Sequence, residues 1–163
     1  LRALKYTAVL MVILLVLSLL LVGYFFMTAN VSIVAFKAQG AQVAEAPELF
    51  GELKASVENR TFRGTYFSTE PLEEAEKYAL ITYTLRISND CLVPIDMIEV
   101  QVVPNPVDVL QLGDQAVRSL PPKSQGDITA TILTLKESHS VRELLVTYYV
   151  WGVSFTIQET YRD

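Results

Sequence analysis

The chain carries few groups that do chemistry. His139 is its single histidine and Cys91 its single cysteine. His139 sits in the polar run KESHS, which reads as a surface turn. A catalytic imidazole needs a nucleophile and an orienting acid beside it. One His and one Cys are also too few for an ordinary zinc site. Cys91 lies in a turn next to the acidic Asp90, not in the electropositive setting that reactive thiols need, so an inert thiol is expected. Glu73, Glu74 and Glu76 form the densest acidic run, while Asp90, Asp108, Asp114 and Asp127 fall in separate turns. A calcium loop gathers its carboxylates at alternate positions, as in DxDxDG, and the chain has no such run. Nor does it contain GxGxxG, a Walker loop, GxSxG or HExxH. The expectation is a protein that is not an enzyme, with no catalytic, cofactor-binding or metal residue to nominate. Tyr148, Tyr149 and Trp151 crowd one place near the C-terminus. Alternation along a strand turns one of each neighbouring pair inward, and Tyr149 and Trp151 are the candidate interface residues.

The element that positions everything else is the run Tyr6 to Met27, YTAVLMVILLVLSLLLVGYFFM. No charge occurs between Lys5 and Lys37. As a helix the run reaches roughly 33 Å, against a bilayer hydrocarbon core of ~30 Å. A cleaved signal peptide has a shorter apolar region followed closely by small residues. Here Phe25, Phe26 and Met27 occupy the end, and Ala44-Glu45-Ala46 lies far downstream. An uncleaved signal anchor is therefore expected. Arg2 and Lys5 precede it, which places the N-terminus in the cytoplasm and the remainder outside. The span has no ionisable residue for an ion path and no GxxxG pair for tight helix association. The lipid bilayer is thus the first expected partner. Net charge is −5 over 163 residues, without a polybasic patch, which disfavours nucleic acid. Leu1 at the start fits either a fragment or a non-ATG start codon.

The expected organisation is a cytoplasmic N-terminus at 1–5, a transmembrane helix at 6–27, a juxtamembrane stalk at 28–47 and an extracytoplasmic domain at 48–163. The stalk rests on KAQGAQVAEAP, small and without aromatics, although Val31 to Phe36 could instead begin a strand. Leu53, Ala55 and Val57 alternate with polar residues and read as a strand, turned by Glu58-Asn59 into a second strand over Thr61 to Phe67. Glu70 to Lys77, after Thr69 as N-cap, reads as a short helix or an acidic loop. Tyr78 to Asn89 alternates cleanly, with Ile81, Tyr83, Leu85 and Ile87 on one face. Further strands are expected over Ile95–Val103, Val109–Leu112, Ala116–Leu120, Asp127–Thr134, Arg142–Val150 and Val153–Tyr161, the last two as a hairpin across Trp151-Gly152. Ile81, Leu85, Val100, Ile132 and Val146 are expected in the core. Turn signals every ten residues or so mean an antiparallel sandwich or barrel. A domain of roughly 115 residues can bury a core without staples, so a chain begun near Glu45 is expected to fold alone.

The segment LRISNDCLVPIDMIEVQVV looks like the B–C region of immunoglobulin-like stalk modules, and SLPPKSQGDITATIL resembles their later proline-led strand. The resemblance is to bacterial surface Ig-like and late-embryogenesis-abundant-type sandwiches, and it covers Tyr78 to Thr134. The cysteine pair and core tryptophan of antibody domains are not reproduced. It implies a mainly β fold: one N-terminal transmembrane helix, then an Ig-like β-sandwich with at most one short helix. The expected role is a non-enzymatic interaction or structural module with a protein partner, held at the cell membrane. The alternatives are a ligand-sensing or small-molecule-binding domain, or an accessory subunit of a membrane complex.

Overall fold

The computed structural model describes residues 2–28, 30–113 and 118–162. The first element is helix α1, Arg2–Met27. Its stretch Leu4–Met27 is long and apolar enough to cross a membrane, and none of it is buried until Phe25 and Phe26 meet the β domain.

Among the described residues eight strands follow: β1 (Val31–Gln42), β2 (Gly64–Tyr66), β3 (Tyr78–Asn89), β4 (Asp96–Val103), β5 (Asp108–Leu112), β6 (Ser124–Leu135), β7 (Glu143–Val150) and β8 (Val153–Thr160). They form two antiparallel sheets, β1-β3-β6-β5-β2 and β4-β7-β8. Without the short β2, that is the order of a constant-type immunoglobulin sandwich, ABED on one sheet and CFG on the other. The fold is therefore an Ig-like β-sandwich. Tyr83 on β3 ties that strand to the loop before β7, donating its hydroxyl to the Ser140 carbonyl (2.7 Å).

Strands with strong period-two patterning form where the pattern places them. Ile81, Leu85, Val100, Ile132 and Val146 are all buried in the central core. The β7–β8 turn has Val150 opposite Val153, and Trp151 and Gly152 both take positive φ (48° and 79°). That is the turn whose twist matches a two-residue hairpin.

Three expectations are corrected. The proposed stalk at 28–47 contains β1, which pairs with β3 from Val31↔Asn89 to Gln42↔Ala79. Its small residues are no obstacle to pairing: Ala38 and Gly40 sit opposite the large Tyr83 and Ile81. Second, Leu53, Ala55 and Val57 lie in helix α2, Pro47–Glu58, and not in a strand. Phe50, Leu53 and Val57 recur at helical spacing and pack on Leu72, Tyr78, Leu110 and Leu133. Pro47 at the start and Glu48 in the first turn suit a helix N-terminus. The Thr61–Phe67 strand shrinks to β2, which pairs with β5 instead of forming a hairpin. Third, of the two alternatives for Glu70 to Lys77 the loop forms and the short helix does not, leaving only a 3₁₀ turn at Ala75–Lys77, with Lys77 paired to Glu73. Of the strand expected over Ala116–Leu120, Ala116 and Val117 lie outside the described residues, as does Asp114. Leu120 forms an isolated bridge with Ile95.

Candidate interaction surface

Buried polar side chains show first what the domain spends its chemistry on. Arg142 and Asp108 are wholly buried and joined by a two-pronged ion pair, Nε to Oδ2 2.8 Å and Nη2 to Oδ1 2.7 Å. Arg142 also donates to the His139 and Val141 carbonyls and to Ser138 Oγ, and Asp108 accepts from the Asn105 amide. The cluster fastens the loop before β7 to the start of β5. Asn89 plays a similar part at the opposite end. Its Nδ2 donates to the Val93, Leu120 and Pro121 carbonyls, and its Oδ1 accepts from the Cys91 amide. Gln111 on β5 reaches across to the other sheet, accepting from the Val102 amide (2.9 Å) and donating to the Val100 carbonyl (2.7 Å). Among the described residues no buried side-chain nitrogen or oxygen lacks a partner. Satisfied groups of this kind hold a fold together.

The residues weighed from the sequence are not drawn together. His139 is exposed in the turn before β7. Cys91 is buried in the core with its thiol toward the Asn30 carbonyl. Asp108 is consumed by Arg142. Asp127 faces solvent on β6 in a two-pronged pair with Arg86 (2.7 and 2.8 Å), which holds its carboxyl below the ordinary range. Asp90 accepts from the Ser88 hydroxyl, and its amide donates to the carbonyl of Asn30, just before β1. An open cleft of about 380 Å³ runs past Gly64, Met97, Glu99, Gln111 and Arg118, but the Gln111 amide is already engaged. Beneath α2 a void of about 30 Å³ is lined by apolar side chains.

The terminal aromatics divide. Tyr148 points into the core and stacks on Phe155 at 5.6 Å, and burial pushes its hydroxyl pKa up. Tyr149 is half-buried on the outer side. Trp151 stands at the turn between β7 and β8, against Phe25 and Phe26 of α1.

The feature that sequence reasoning missed is the free edge of β8. A sheet edge is a template for another strand, and proteins usually blunt it. β1 has a bulge between Ile33 and Ala35 and carries Lys37. β2 is three residues long. The outer edge of β4 is covered by Gln111, and by backbone bonds from Ile98 to Arg118 and between Ile95 and Leu120. Among the described residues β8 has no bulge and no covering bond, and its one charge, Glu159, stands next to its end. Val153 to Gln158 reads VSFTIQ, without charge or proline, and its ladder with β7 has no bulge. The two-residue turn makes Val150 and Val153 a hydrogen-bonded pair, and the Tyr161 amide bond to Arg142 keeps the same phase. The amides and carbonyls of Ser154, Thr156, Gln158 and Thr160 therefore point off the edge. The uncharged run VSFTIQ was the sequence signal for it, but only the strand order shows that β8 is terminal.

No protein-family model matches the chain, and no curated protein matches it significantly.

Proposed function

We propose that this chain is a single-pass membrane protein, N-terminus cytoplasmic, whose external Ig-like sandwich is a non-enzymatic interaction module receiving an extended segment of another polypeptide along β8. The uncharged stretch Tyr6–Met27 of α1 supports the anchor, and Arg2 and Lys5 in its first turns support the orientation. The observation that carries the interaction reading is the unguarded edge of β8. An added strand would take up the outward amides and carbonyls of Ser154, Thr156, Gln158 and Thr160. It would also extend cover over Phe155 and Ile157, which are half-buried. A second copy in the same bilayer does not fit this edge. An antiparallel β8–β8 pair needs a two-fold axis across the strands, and β8 runs away from the end of α1, so that axis would point the two anchors in opposite directions.

The test uses the full chain in its native membrane. A photo-reactive side chain at Gln158 should crosslink to a partner, and the same group at Glu52 on α2 should not. Thr156→Pro removes one outward amide without touching the ladder to β7, so the fold should persist while the adduct disappears. An adduct at Gln158 that survives Thr156→Pro would refute strand addition. Protease added to intact cells should digest the sandwich; a protected sandwich would refute the orientation.

A further inference from the structure

The junction between α1 and the sandwich is built around the single tryptophan of the chain. Phe25 and Phe26 bracket the Trp151 indole edge-on, with ring centroids 5.6 and 5.7 Å away and interplanar angles of 79° and 81°. Phe26 also reaches Phe155 at 6.4 Å. Trp151 is therefore level with the last turn of the apolar helix. Yet 51% of its surface is open, and its turn holds the side chain out at the tip of the hairpin.

The helix sets the height of that tip. Leu4–Met27 holds 24 residues. With Lys5 held at the cytoplasmic headgroups, Tyr6–Met27 at ~1.5 Å per residue reaches roughly 33 Å, past the ~30 Å hydrocarbon core, so the end turn emerges in the opposite headgroup layer. Tyr24 and Met27 are exposed on that turn. The loop after β3 lies at the same end, because the Asp90 amide donates to the Asn30 carbonyl (2.9 Å), and its Leu92 is also 51% exposed. An indole with one apolar body and one N–H is suited to the interfacial layer, where the ring is in acyl chains and the N–H among headgroups.

We infer that Trp151 is a lipid contact: its indole lies in the bilayer interface beside Phe25 and Phe26, and with Leu92 it docks the sandwich directly on the membrane surface. This rests on the reading of α1 as a retained anchor. It assigns Trp151 to lipid, and leaves the β8 edge to the protein partner. The docked hairpin also fixes β8 with Val153 at the membrane and Thr160 away from it.

The single tryptophan makes the test direct. The full chain is reconstituted into phosphatidylcholine vesicles, floated on a density gradient, and its tryptophan emission measured. Lipids brominated near the headgroup end of the acyl chain should quench Trp151 more strongly than lipids brominated near the chain terminus. Aqueous iodide should quench it weakly. The double variant Trp151→Phe, His139→Trp moves the reporter to an exposed turn at the other end of the sandwich, and it should show the opposite pattern. Vesicles that carry the chain while Trp151 responds to iodide and not to brominated lipid would overturn the lipid contact and leave the anchor standing. A chain that fails to float would overturn the anchor and this inference with it.

Discussion

Asp108→Ala should weaken the sandwich more than the loss of an ordinary surface ion pair. Asp108 and Arg142 are both fully buried, and the carboxylate accepts three bonds, from Arg142 Nε and Nη2 and from the Asn105 amide. Removing it strands a guanidinium charge in the interior, a change that costs ~3–5 kcal/mol in comparable buried pairs. Arg142 keeps its bonds to Ser138, His139 and Val141, which places the loss nearer ~3 kcal/mol. For a domain of this size that lowers the melting midpoint by roughly 10 °C. The assay is a circular-dichroism melt of the full chain in mild detergent, alongside a urea titration. The double replacement Asp108→Leu, Arg142→Met removes both charges together and should recover about half of the loss or more. A loss under ~1 kcal/mol for Asp108→Ala would refute the stranded-charge reasoning. A double variant as unstable as the single would show that lost contacts, not charge, set the cost.

Two further outcomes follow from particular contacts. A chain truncated to begin at Glu45 lacks β1 and uncovers the whole outer edge of β3, so it should aggregate, whereas one beginning at Asn30 keeps that edge paired and should fold and stay in solution; equal behaviour of the two in gel filtration would refute the role of β1. Asp127 is held below its ordinary value of 3.8 by Arg86, so its contribution is present above that pH and is lost as pH falls through the lower folded value. A carboxyl NMR titration should show this midpoint rising towards 3.8 in Arg86→Gln, and an unmoved midpoint would refute the pairing.

How much was legible in the sequence depended on whether a segment's own pattern sufficed. The uncharged run of α1 has one solution in any context long enough to hold it, because every face is apolar. The alternation in β3, β4, β6, β7 and β8 likewise dictates which side of each strand is buried, and Leu85, Val100, Ile132 and Val146 follow from it. Other segments had no decisive pattern. Leu53 and Val57 are four apart, a spacing that serves a helix and a strand alike, and the cluster with Phe50, Tyr78 and Leu133 selected the helix. KAQGAQ has weak strand propensity, and the edge of β3 made it a strand by offering a complete ladder. The polar clusters lie deeper still beyond local reading. Arg142 and Asp108 are far apart in the chain and meet only because β5 and the loop before β7 converge. Trp151 was legible as a turn residue, and its company with Phe25 and Phe26 was not, since that contact joins the two ends of the chain. The free edge of β8 is the plainest case. Being last in a sheet is a property of the strand order, and no window of sequence contains it.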